Sequence, residues 1–182
     1  MKYDPKVGLY TPAADLEIER RQRLLEELGL DRPDALFDRF AADLAQAAGT
    51  PYAMVNAITT NQAFVGLYSQ PDGSVPQVGR TMDRNHGYCP DVLDRRRPLV
   101  LPDVFAYPRF AGNEVVDMIG IRTYAGAPLI HEPTNTVLGT VCVVGLAPRP
   151  QSTGRASLEL IKQHRDALMD IIYRRSGQPP QQ

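Results

Sequence analysis

Tryptophan is absent from the 182 residues, cysteine occurs twice, and histidine and lysine three times each. Two cysteines, Cys89 and Cys142, are too few to staple a small secreted fold. They suit a reducing compartment where both stay thiols, so a cytoplasmic location is expected. His86 and Cys89 have a ligand-like spacing, but His131 and His164 fall on other segments, so a four-ligand zinc site is not completed and no metal is expected. A charge of one sign is also missing: 20 basic residues stand against 21 acidic ones, a net charge of -1. That balance excludes the electrostatic footprint of a nucleic-acid or anionic-membrane partner. Long apolar runs are lacking too. The longest, 137–147, is interrupted by Thr140 and is shorter than the roughly 18 residues of a spanning helix. The opening residues carry Asp4, Pro5, Lys6 and Pro12 and do not read as a signal peptide.

What is present suits one globular domain. Hydrophobic residues make up 43% of the chain and charged residues 23%, enough for one sizeable core. Residues 1–14 read as an N-terminal extension, 15–175 as the domain and the polar, Pro-rich 176–182 as a disordered tail. A first amphipathic helix over 15–28 sets Leu16, Leu24, Leu25 and Leu28 against Glu17, Glu19, Arg20, Arg21 and Arg23. A second helix starts at a cap, Asp34, and ends at Gly49. Residues 52–58 and 62–68 read as a strand hairpin, and 69–84 as a turn-rich excursion without periodicity. A short helix over 90–95, a strand over 99–104, a short helix over 113–118 and strands over 122–130 and 137–146 follow. A long last helix is capped by Ser152 or Thr153 and carries Leu158, Ile161, Leu168, Met169 and Ile172. Short connections between neighbouring strands point to an α+β fold with an antiparallel sheet of five or six strands.

Four blocks carry a family resemblance: Pro98-Leu99-Val100-Leu101-Pro102-Asp103, Pro108-Arg109-Phe110, Arg122-Thr123-Tyr124-Ala125-Gly126-Ala127-Pro128-Leu129, and Leu138-Gly139-Thr140-Val141-Cys142-Val143. In this order, from about Glu17 to about Tyr173, the chain resembles the GAF domain family. The resemblance implies terminal helices packed on one face of the sheet, a pocket covered by loops and a short helix on the other, and a non-catalytic sensor of a small molecule. Its signal would leave through a homodimer or a protein partner, because no kinase, cyclase or DNA-binding signature is present. Two alternatives stand beside this one: a thiol-dependent reductase of a small oxidised substrate through Cys89, and a ligand-free protein-interaction module. The Asn-Lys-Phe string of cyclic-nucleotide-binding members and the Cys-His pair of bilin carriers are both absent. The residues identify neither the ligand nor a cofactor.

The expected pocket walls are Phe64, Tyr68, Cys89, Phe110, Arg122 and Tyr124, beneath 69–84 and 105–112. Alternation on a strand predicts that Phe64 and Tyr68 point to one side and that Arg122 and Tyr124 share theirs. The same alternation puts the small Thr123, Ala125 and Ala127 together on the opposite face. Cys89, ahead of a short helix, reads as a pocket-wall cysteine or a nucleophile, and Cys142, between valines, as inert packing. With the two thiols on different elements, methionine sulfoxide reduction is not expected. Arg95-Arg96-Arg97 reads as a solvated turn. Arg109 and Arg122 suit pairing with Asp103 or Asp117, or Arg122 a fork toward an anion. Leu16, Leu24, Leu28, Ile161, Leu168 and Ile172 offer an apolar excess for a symmetric dimer.

Overall fold

The computed structural model describes residues 2–4, 9–11 and 17–178. Strands β1 (Lys2–Asp4) and β2 (Leu9–Thr11) form a small antiparallel ladder of their own. The main sheet is built from β3 (Tyr52–Ile58), β4 (Asn61–Ser69), β5 (Thr81–Asp83), β6 (Leu99–Leu101), β7 (Thr123–His131) and β8 (Thr136–Gly145). Its order is β5-β4-β3-β8-β7-β6 and every described pairing is antiparallel. Helices α1 (Ile18–Glu27), α2 (Ala35–Ala48) and α6 (Gly154–Arg175) share one face. The short α3 (Cys89–Arg95), α4 (Pro108–Ala111) and α5 (Glu114–Ile119) belong to the other. The sheet therefore separates two cores. Ala53, Val55, Ala125, Ala127 and Val141 lie under the long helices, and Met54, Phe64, Tyr124, Cys142 and Val144 lie under the short ones.

Local chemistry sets several boundaries as expected. Asp34 caps α2 by accepting from the Leu36 amide at 2.8 Å, and Gly49 closes it in the left-handed conformation at φ 63°. Small Ala125 and Ala127 let the long helices sit close on β7. Two boundaries differ from expectation. The strand from Leu99 stops at Leu101, because Pro102 has no amide to donate and Asp103 instead caps a 3-10 turn over Val104–Ala106. Thr153 does stand at the N-cap of α6, but its hydroxyl makes no capping bond and donates instead to the Pro150 carbonyl within a preceding 3-10 turn. The excursion after Ser69 also yields an edge strand, β5, that its composition does not signal. Of the expected disordered tail, 179–182 lie outside the described residues, whereas the Gln178 amide bonds the Tyr173 carbonyl at 2.9 Å.

The helical side corrects two readings. Arg21 does not join the polar face of α1: it is 3% exposed and donates Nε to the Val137 carbonyl and Nη1 to the Ile58 carbonyl at 3.3 Å, tying the helix to the sheet. Leu24, Leu28, Ile161, Leu168 and Ile172 are all buried within the chain's own core, so the apolar excess offered for a dimer is used up by helix-on-sheet packing. Leu16 lies outside the described residues.

A β-bulge decides what reaches the other face. Val55 pairs with Gly66 but Asn56 pairs with Phe64, which leaves Val65 as the extra residue. Its irregular backbone is anchored by the start of α2: the Asp34 amide bonds the Val65 carbonyl at 2.9 Å, and Asp38 accepts the Leu67 amide at 2.9 Å. Gly66 permits this approach, since a Cβ there would stand 2.5 Å from the Phe37 carbonyl oxygen.

Candidate functional site

Across the middle of the sheet, register aligns short rows of side chains facing α3. Asn56 lies opposite both Phe64 and Thr140, and Cys142 lies between Met54 and Gly126. Cys89, the first residue of α3, descends onto this floor: its Sγ stands 3.7 Å from Cys142 Sγ and 3.4 Å from the Tyr124 hydroxyl. Beside them a cavity of about 40 Å³ is lined by Met54, Phe64, Met82, Tyr88, Cys89, Tyr124 and Cys142, among others. Its roof is fixed by polar ties. Tyr52 donates its hydroxyl to the Pro76 carbonyl at 2.6 Å, and Gln62 Nε2 bonds the carbonyls of Asp83 at 2.8 Å and His86 at 2.7 Å. Asn113 and Gly87 form a reciprocal pair, Asn113 Oδ1 accepting the Gly87 amide and Nδ2 donating to the Gly87 carbonyl. Larger hollows of about 320 and 480 Å³ lie beside α6 and α2.

The two thiols are not electrically equivalent. The Cys142 S–H, with Thr140, Tyr124 and Asn56, donates toward Cys89, and these bonds outweigh burial to hold the Cys89 thiol down to about 6. Cys142 is pushed well up, first because its proton is held against Cys89 and then by burial. In the neutral pair the protons run the other way, from Cys89 to Cys142 and from Cys142 to Met54 Sδ at 3.9 Å. Ionising Cys89 turns the Cys142 proton back. Burial raises the Tyr124 phenol well above its usual range, so it remains a donor. Burial and the Asp91 carboxylate push Tyr88 up to about 12, and it donates to the Phe110 carbonyl at 2.9 Å.

The family model described as GAF domain matches residues 32–164. The chain belongs to the GAF domain family. Among solved structures, this GAF domain is similar to the phycoerythrobilin-bound GAF domain of a cyanobacterial phytochrome, with 14% identity, 87% of this chain and 91% of that one covered, and a TM-score of 0.59. It is also similar to free methionine-R-sulfoxide reductase from Neisseria meningitidis in complex with its substrate, with 15% identity, coverage of 93% and 97%, and a TM-score of 0.54. A third is the GAF domain of an Acinetobacter phosphoenolpyruvate-protein phosphotransferase, with 15% identity, coverage of 89% and 96%, and a TM-score of 0.55. At these identities the likeness is one of fold alone. No curated protein matches the chain. None of the helices is long and apolar enough to cross a membrane among the described residues.

Of the six expected walls of the GAF pocket, Phe64, Cys89 and Tyr124 line the cavity. Phe110 stands behind it, edge-on to Tyr88 with ring centroids 5.7 Å apart. Tyr68 belongs to the opposite face, against the long-helix core, because the bulge at Val65 reverses the alternation between positions 64 and 68. Arg122 is outside too: it precedes β7, pairs with Asp103 at 3.1 Å and stacks over Phe105 at 4.4 Å. Arg109 pairs with neither Asp103 nor Asp117 among its described ion pairs, but with buried Asp91 at 2.6 Å, which fixes α3 against α4. His86 meets Glu114 at 3.0 Å. Cys142, read as packing between valines, is buried and also touches Cys89 at 3.7 Å, so the two thiols, though on different elements, do have each other as neighbours. Met54, Asn56, Tyr88 and Thr140 are missed by the sequence reading. Strand parity from Tyr124 marks faces within β7 only, and the register to β3 and β8 is needed to find them.

Proposed function

We propose that this GAF domain is a non-catalytic small-molecule sensor of the reducing cytoplasm, its input the cavity under α3 and its output a protein partner or a second copy. The observation that carries the reading is a cavity lined by Phe64, Tyr88, Tyr124 and two thiols beneath a roof held by side-chain hydrogen bonds. Its volume of about 40 Å³ restricts the input to a very small molecule unless the roof lifts. Thermal unfolding of the full chain against a library of small metabolites tests this. A true ligand raises the Tm of wild type, and Val78→Phe, which fills the cavity from its roof, abolishes the shift while leaving the chain folded. Flat shifts throughout favour the ligand-free interaction module. A second reading, a thiol-dependent reductase acting through Cys89, is favoured by the Cys89–Cys142 contact of 3.7 Å. Turnover of a small oxidised substrate, lost in Cys89→Ser, would select it.

A further inference from the structure

We propose that Cys89 and Cys142 form a two-thiol redox centre that is oxidised by hydrogen peroxide, or a hydroperoxide equally small, to a Cys89–Cys142 disulfide. This rests on the sensor reading and names its input. Three observations converge. The sulfurs are already in contact at 3.7 Å although 53 residues separate them, so a bond between them needs closure, not a search. The cavity beside them holds about 40 Å³, room for a molecule of two oxygen atoms and too little for a sulfoxide amino acid or a peptide disulfide. Finally, Asn56 Oδ1 and Thr140 Oγ1 are buried on the same floor and have no hydrogen-bond partner while the thiol is neutral. The sheet face that carries both thiols thus also carries an unpaired buried acceptor and an unpaired buried hydroxyl, although neither residue lines the cavity itself.

The chemistry balances within the site. The Cys89 thiolate attacks one peroxide oxygen, the O–O bond breaks, and the departing hydroxide takes up the proton that Cys89 released and leaves as water. Cys89 is then a sulfenic acid. Cys142 attacks that sulfur, its own proton passes to the sulfenic hydroxyl, the S–O bond breaks and a second water leaves as the S–S bond forms. The dithiol loses two electrons and the peroxide gains two. The product joins the start of α3 to β8, two of the elements that bound the cavity, so oxidation alters the site in which a ligand is sensed.

The test treats the full chain, under nitrogen, with less than one equivalent of hydrogen peroxide and reads intact mass and thiols counted after denaturation. Expected for wild type is the loss of two hydrogens and of both thiols per peroxide, in a monomeric product. Its yield should not change on tenfold dilution, and dithiothreitol should reverse it. Cys142→Ala should stop one oxygen heavier, at a Cys89 sulfenic acid trapped by a cyclic diketone, and Cys89→Ala should consume no peroxide faster than free cysteine does. Cys142→Ser repeats the first variant should the alanine protein not fold. Only intermolecular disulfides, wild-type oxidation no faster than free cysteine, or an unaltered thiol count would overturn the proposal. Inert thiols beside a ligand-induced Tm shift that Val78→Phe removes would sink this inference and leave the sensor reading intact. A disulfide formed in a chain with flat shifts would do the reverse.

Discussion

Replacing Gly126 by alanine drives a Cβ first into the Tyr124 hydroxyl and places it 2.7 Å from Cζ and 3.0 Å from Cε1 of that ring, which lies along its own strand over the glycine. Carbon atoms prefer roughly 3.5 Å, so the ring must retreat by about 0.8 Å. It has nowhere easy to go. Its face neighbour Tyr88 lies edge-on with centroids 5.2 Å apart, and its hydroxyl rests on Cys89 at 3.4 Å. Overpacking of this kind costs about 1–3 kcal/mol, and disturbing the aromatic pair adds about 0.5–1 kcal/mol. A loss of about 2–3 kcal/mol is expected. With a urea slope of about 2–3 kcal/mol/M for a chain of this size, the unfolding midpoint falls by about 1 M. Because the clash is with one ring, most of the cost should vanish when Tyr124→Leu is already present, a coupling of at least about 1 kcal/mol in a double-mutant cycle. The thiol supplies an independent readout. As the Tyr124 donor is drawn off, Cys89 becomes less acidic and its alkylation profile moves to higher pH. Additive costs within about 0.5 kcal/mol, or an unmoved profile, would refute the argument that Gly126 exists to let Tyr124 reach Cys89.

Three further outcomes follow from named contacts. In wild type, one thiol should be alkylated by a small haloacetamide at a rate that rises through pH about 6 and falls away below it as Cys89 takes up its proton; a single midpoint in the ordinary thiol range near 8.5 would contradict the converging donors. Burial raises the Asp91 carboxyl above the usual carboxylate range while Arg109 opposes the rise, so the folded state favours the protonated acid and this group's contribution to stability falls as pH rises through its folded value. Arg109→Met should therefore cost about 1–2 kcal/mol near pH 8, discounted for the half-exposed guanidinium, and less near pH 5; a pH-independent deficit in urea titrations would count against the pair. Arg21→Leu removes charge-assisted bonds to the Val137 and Ile58 carbonyls but also relieves a buried charge, for a net loss of about 2 kcal/mol. Amide exchange should quicken first where α1 meets the ends of β3 and β8, and unchanged exchange there would show that Arg21 is not the tie.

Local rules carried most of the secondary structure. Asp34 and Gly49 bound α2 because a side-chain acceptor and a left-handed glycine satisfy helix ends whatever surrounds them. Parity along β7 likewise separated the small Ala125 and Ala127 from Tyr124, and the four blocks named the family that residues 32–164 match. Phe64 and Tyr124 could be read as site residues because each stands on a strand whose facing direction is a local property, and Cys89 because it precedes a short helix expected to cover the pocket.

Tertiary structure decided the rest. Strand parity holds only until a residue is inserted, and the insertion at Val65 is held by Asp34 and Asp38 of α2, across the fold, so Tyr68 reads correctly only once that helix is docked. Arg21 looks solvated on a helical wheel, yet the carbonyls it serves belong to Val137 and Ile58, which lie 116 and 37 residues further along the sequence. The pairing of Cys89 with Cys142 is of the same kind. Alternation fixes the side of β8 on which Cys142 lies, but that α3 settles above this strand and not another follows from the packing of Tyr88, Phe110 and the Asp91–Arg109 pair. Propensity and periodicity act over a few residues, whereas a contact between two sulfurs depends on the placement of every element between them.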